Sequence, residues 1–184
     1  MRVPVWGIQA KEAYPLDEDY VFEFNSVSLE ELFAGKINAL LDRSAARDLY
    51  DVYTLSGSAV KYDTARLRKA LILFGLTRKD DFRKTNFDAI DRISQKIVDE
   101  QLNPLRRRNE VIDLDQMKIK VKALLAQILQ YKENEQQFLN RFLDEGDYEP
   151  ELLFDNPEQA QRMKYHPAVL WKLQNHRKLL GFAK

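Results

Sequence analysis

Apolar positions along the chain change period once, near residue 28. Before that point the pattern is short and alternating: Val3, Val5, Trp6 and Ile8 predict one strand, and Tyr20-Val21-Phe22-Glu23-Phe24 a second. Tyr14-Pro15-Leu16 reads as a loop between them. From Ser28 onward the period is helical. Ser28 with Glu31 three residues on is a capping box, and Leu32, Phe33, Ile37, Leu40 and Leu41 form an apolar wall behind it. Gly57 ends this segment. Its middle is open at Ser44: one helix runs through, or Ser44 caps a second helix from about Ala45 and the halves meet at an angle.

The helical period then continues almost to the end of the chain. Asp63 to Phe74 is a basic amphipathic helix stopped at Gly75, and Phe87 to Gln101 carries Phe87, Ile90, Ile93, Ile97 and Val98 before Asn103-Pro104 stops it. Asp113 with Gln116 caps a helix whose stripe is Leu114, Met117, Val121, Leu124, Leu125 and Ile128. Asn134 with Gln137 opens another, through Phe138, Phe142 and Leu143 to Gly146. Asn156-Pro157 and His166-Pro167 mark two further starts, the last helix carrying Val169, Leu170, Trp171 and Leu173. The fold class is α+β, mainly α: a short N-terminal β element followed by a multi-helix bundle. Two strands are marginal alone and must lean on the helices or on another chain.

Composition narrows the functional classes. A chain of 184 residues suits one domain, or one domain with a small appendage, and can bury a real core. Its 29 basic and 29 acidic residues cancel, which argues against nonspecific wrapping of nucleic acid while leaving room for local basic patches. The absence of cysteine excludes disulfides, thiolate metal sites and thiol catalysis. The apolar runs are too short to span a bilayer, and the opening MRVPVWGIQA lacks a signal-peptide shape, so the expected setting is cytoplasmic, with no membrane partner. His166 and His176 stand ten apart with no carboxylate or second histidine at ligand spacing, so neither is expected to hold a metal.

The charges that stand out are Lys36, Arg43, Arg47, Asp48 and Asp51, packed into sixteen residues. On a continuous helix, at about 100° per residue, Lys36, Arg43 and Arg47 fall in one narrow stripe with Asp51 beside it. In one reading this is a solvated face, with Arg47 and Asp51 an i,i+4 pair worth a few tenths of a kcal/mol. In the other, three aligned cations repel one another unless an anion such as a phosphate or a partner carboxylate lies between them. The Arg106-Arg107-Arg108 run reads first as a solvated turn and second as a nucleic-acid contact.

The order Lys36-x-x-Ala39-Leu40-x-x-Arg43-x-x-x-Arg47-Asp48-x-x-Asp51 resembles the third motif of the AbiEii/AbiGii family of nucleotidyltransferase toxins. Leu29 to Gly35 resembles its lead-in. Glu135-x-x-Phe138-Leu139, Tyr148-x-Pro150-Glu151-Leu152-Leu153-Phe154 and His166-Pro167-x-x-x-Trp171-Lys172 resemble the family's C-terminal helical part, so the likeness runs from about Glu23 to Lys178. It implies a partial nucleotidyltransferase fold over 1–58 and a helical C-terminal domain over 59–184. It also implies transfer of nucleotides from NTP to tRNA or another RNA acceptor, within a toxin–antitoxin or abortive-infection system with a cognate antitoxin. Lys36, Arg43 and Arg47 are then the nucleotide-binding residues. Asp48 and Asp51 are the catalytic pair, with Asp51 favoured as base or as the group orienting Lys36.

The resemblance further implies Mg²⁺ beside the NTP, held by carboxylates upstream of this motif together with a Gly-rich phosphate loop. The 27 residues before Ser28 show neither; Asp17-Glu18-Asp19, in the loop after Pro15, is the nearest imitation and reads as a turn. The expectation is a truncated member whose metal ligands lie outside this chain. In that case the motif charges are either a weak nucleotide site or a buried network holding two helices together. Two alternatives follow. One is a catalytically inactive helical interaction module that docks an antitoxin or itself, with uncovered Phe22 and Phe24 predicting a homodimer. The other is an RNA-binding helical domain using Arg66, Arg68, Lys69 and Arg106 to Arg108, weakened by the missing aromatic platform between those cations.

Overall fold

The computed structural model describes residues 3–13, 21–57, 59–78, 80–105 and 112–181. The loop at Tyr14-Pro15-Leu16, the Asp17-Glu18-Asp19 turn and the Arg106 to Arg108 run lie outside them. The protein is mainly helical, with an N-terminal two-stranded sheet ahead of the helices. Strand β1 (Ile8–Ala13) pairs antiparallel with β2 (Phe22–Val27), Ile8 opposite Val27 and Ala13 opposite Phe22. β1 thus starts later than its apolar pattern suggests.

Residues 3–7 form instead a strap across the helices. The Val5 side chain is fully buried, and its N–H donates to both carboxylate oxygens of Glu31 at 3.0 Å, with the Trp6 N–H at 3.3 Å. The Val5 carbonyl accepts from Gln159 Nε2 (3.0 Å) and from Arg162, and the Val3 carbonyl from His166 Nε2 at 3.1 Å. Trp6 meets Phe154 edge-on at 5.6 Å, beneath the Arg66 guanidinium at 4.7 Å. Gly7, at φ 89°, takes the left-handed turn from strap to strand.

Helix α1 (Leu29–Arg43) begins where its cap says, with Ser28 Oγ accepting the Glu31 N–H at 3.3 Å. The Glu31 carboxylate has gone to the strap. Phe33, Ala34, Ile37, Leu40 and Leu41 are buried, whereas Leu32 is 45% exposed. The chain breaks at Ser44, in the left-handed conformation (φ 53°), and a second helix, α2 (Ala46–Gly57), follows; the break is realised, but Ser44 closes α1, its N–H on the Leu40 carbonyl, rather than capping α2.

α3 (Thr64–Gly75) is capped by Asp63, as its sequence suggests, but it is not a basic surface helix. Leu67, Arg68, Ala70, Leu71, Ile72 and Leu73 are all buried, so α3 is the axis of the core, packed against α1. The last residue of α3, Gly75, is a glycine for a steric reason. A Cβ there would lie 2.5 Å from the ring of Phe82, which closes over the helix end.

The expected helix over 87–101 is two, α4 (Asp88–Asp91) and α5 (Gln95–Gln101), because Ser94 caps the second through the Ile97 N–H. α6 (Leu114–Ile128) buries the Met117, Val121, Leu125 and Ile128 stripe behind its Asp113 cap and packs on α2. α7 (Glu133–Asn140) is capped at Lys132, two residues before the expected cap at Asn134. Glu135 Oε2 accepts the Lys132 N–H at 2.7 Å, while Asn134 Nδ2 donates to the Leu152 carbonyl. A π turn over Arg141–Glu145 ends at Gly146 (φ 64°). α8 (Pro157–Lys164) and α9 (Pro167–Leu179) follow; in α9 Val169 and Leu173 are buried but Leu170 and Trp171 are exposed. One apolar cluster runs from Val5 to Leu173. Among the described residues no helix is long and apolar enough to cross a membrane.

Candidate functional site

The bend at Ser44 decides what the motif charges do. With α1 and α2 folded against each other, Lys36, Arg43 and Arg47 do not share one stripe. Two ion pairs instead nest about the turn, Arg43 with Asp48 on the inside and Lys36 with Asp51 farther out. Lys36 Nζ lies 2.6 Å from Asp51 Oδ2, with both side chains partly exposed. Arg43 grips Asp48 with two parallel bonds, Nε to Oδ2 at 2.6 Å and Nη2 to Oδ1 at 2.9 Å.

These two pairs differ in kind. The Asp48 side chain is only 2% exposed, and a buried carboxylate needs both oxygens answered; the planar guanidinium fork does so in one contact. Hydrogen bonding to Asp48, and then its negative charge, raise the Arg43 pKa further above its ordinary value. Arg43 itself remains 63% exposed, so most of its cationic surface is open to solvent. Lys36 with Asp51 is a softer pair of solvated groups, able to exchange one anion for another.

Lys36, Arg43 and Asp48 line one groove of about 430 Å³ together with Gly35, Ala39 and Phe74. Gly35 and Ala39 stand one turn apart on α1, and their small side chains leave open the space over which Lys36 extends. The spacing of small residues beside the lysine was visible in the chain; Phe74, from α3, was not, because nothing local ties it to the motif. Arg47 is exposed and is not among the residues lining this groove. Among the described residues no carboxylate pairs with it, so the i,i+4 pair with Asp51 does not form.

Of the cations of the RNA-binding alternative, the three among the described residues have internal duties. Arg66 stacks on Trp6, Arg68 is buried against Glu135 at 2.7 Å, and Lys69 pairs with Asp155 at 2.5 Å. His166 and His176 are hydrogen-bonded to the Val3 and Leu143 carbonyls. Among the described residues no group of three or more His, Asp or Glu side chains is placed to hold a metal ion. Both motif carboxylates are already engaged by cations, Asp48 within the groove by Arg43 and Asp51 by Lys36. The described residues do not fit a Mg²⁺ ion of their own.

A family model described as nucleotidyl transferase AbiEii toxin, Type IV TA system, matches residues 2–156. That stretch covers the strap, the sheet and α1 to α7, including every residue of the motif groove. No curated protein and no solved structure matches the chain.

Proposed function

Since the chain belongs to the AbiEii family of nucleotidyltransferase toxins of type IV toxin–antitoxin systems, we propose that the groove beside α1 takes the phosphates of an NTP. The observation that carries this reading is the Lys36–Asp51 pair, an exchangeable ammonium over a groove whose second cation, Arg43, is locked in place by buried Asp48. Lys36 offers three rotatable donors as a point charge, and Arg43 offers a planar face suited to phosphate oxygens. Asp48 is a positioning residue. Asp51 holds Lys36 until phosphate takes its place, and is then the carboxylate left free beside the substrate.

In the reaction, an acceptor hydroxyl of an RNA attacks the α-phosphate and gives up its proton to solvent; a new phosphodiester forms as the bond from the α-phosphorus to the bridging oxygen breaks, and pyrophosphate leaves with that electron pair. The chain's own part is to neutralise charge on the phosphates and hold them still. Mg²⁺ belongs to this proposal only with ligands from outside the residues described. Arg47, outside the groove, is not assigned to the NTP.

Titration with a fluorescent ATP analogue tests the reading. Lys36→Ala should weaken binding about tenfold, the loss of one charge-assisted contact worth ~1.5 kcal/mol. Lys36→Arg should keep part of it. Equal affinity in wild type and Lys36→Ala, or no NTP binding at all, would sink the assignment. A second reading, an interaction module docking an antitoxin or a second copy, is favoured by the hairpin surface, where Ile8, Val21, Phe22 and Phe24 are 42–64% exposed.

A further inference from the structure

Tyr50 and Tyr53 lie on the side of α2 roughly opposite Asp48 and Asp51. There they line a second groove of about 590 Å³ between α2 and α6, with Thr54, Gln127 and Lys120. Among the described residues no carboxylate lines it. Lys120 extends over Tyr53, its ammonium 5.4 Å from the ring centre. The neighbouring lysines of α6 are engaged elsewhere, Lys118 on the Asp91 carbonyl and Lys122 on the Asp91 carboxylate. Arg47 precedes Tyr50 by three residues and Thr54 by seven, so helical geometry sets it at the head of this same face, exposed. Among the described residues neither Lys120 nor Arg47 has a carboxylate partner.

The chemistry of this groove is specific. Two tyrosine rings, a cation over one and a second cation a turn before the other, with hydroxyl and amide groups between and no acid, match flat bases joined by phosphates. From Arg47 to Tyr53 the helix advances ~9 Å, so the two cations are separated along the groove with the rings between them. A mononucleotide carries all its phosphate at one end. A strand carries phosphate on both sides of each base. We propose that this groove binds single-stranded RNA, a base stacking on the Tyr50–Tyr53 pair while Lys120 swings from the Tyr53 ring to one flanking phosphate and Arg47 meets another. It is an aromatic platform between cations: both rings and Arg47 stand on α2, and α6 brings Lys120 to them. That the bound strand is the acceptor of nucleotide transfer rests on the preceding reading; the binding itself does not.

Fluorescence anisotropy of a fluorescein-labelled RNA octanucleotide on the full chain tests this. Lys120→Glu and Tyr53→Ala should each raise Kd tenfold or more, Tyr53→Phe should keep the affinity, and wild-type binding should weaken steeply with salt. Lys120→Glu changes an exposed side chain, so its result does not depend on a partly buried ring being tolerated. Lys36→Ala should leave RNA affinity unchanged, and Lys120→Glu should leave affinity for the ATP analogue unchanged, so the two sites fail separately. The proposal is overturned if wild type binds no RNA, if Lys120→Glu binds it as wild type does, or if free ATP displaces the octamer at the octamer's own Kd.

Discussion

Glu31 and Glu135 occupy the same position in their helices, three residues after the cap, where a glutamate ordinarily serves only its own N-terminus. Both are buried here. Glu31 leaves its cap for the strap, and a single oxygen of Glu135, Oε2, accepts from both the Lys132 N–H and Arg68, 67 residues away in sequence. The capping pattern is legible locally; the distant partner is not, since nothing near Glu135 names α3. Arg68→Met would strand a carboxylate that has no exposure, and should cost about 3–5 kcal/mol in urea unfolding. Adding Glu135→Gln to that variant should recover much of the loss. A single variant within 1 kcal/mol of wild type would mean that the pair carries little stability.

Among the elements, those with a side-chain cap could be located from sequence alone. Ser28, Asp63, Asp113 and Asn156 each accept the N–H bonds expected of them. Ser94 does the same but hides inside an apolar stripe, where periodicity outvotes it and hides the break between α4 and α5. The motif groove was half legible: the five charges are present in the sequence, but their pairing depends on the Ser44 bend, where local pattern allows two outcomes.

A second inter-element tie predicts a pH response. Arg83, in the turn before α4, bonds both Asp81 and Asp144 of the π turn after α7, and its hydrogen bonds hold both carboxyls below the usual range. Carboxyls depressed in the folded state stabilise it above their unfolded pKa, about 3.9, and that stability is lost as pH falls below it. Wild-type Tm should therefore fall as pH is lowered below about 4, and Arg83→Met should flatten that fall. An unchanged slope would show that other carboxylates govern acid stability.

For the molecule as a whole, net charge is zero and the hairpin presents Phe22 and Phe24, 49% and 42% exposed, their rings 6.4 Å apart. Neither charge repulsion nor a covering layer among the described residues opposes association there. Light scattering across a concentration series should show wild type self-associating and Phe22→Ser/Phe24→Ser doing so less. A wild type that stays monomeric throughout would count against this face as a contact between copies.

The strap also bears on the order of events during synthesis. Val3 and Val5 leave the ribosome well ahead of Gln159, Arg162 and His166, the residues that hold their carbonyls. At roughly 5–20 residues per second, the partners emerge about ten to thirty seconds later. Throughout that interval Trp6 lacks Phe154, the Glu31 carboxylate has only the loose end of the strap to hold, and the hairpin hangs from an unfastened lead. The nascent chain therefore spends its most vulnerable seconds with its aromatic hairpin untethered, and α8 and α9 act as the clasp that ends them.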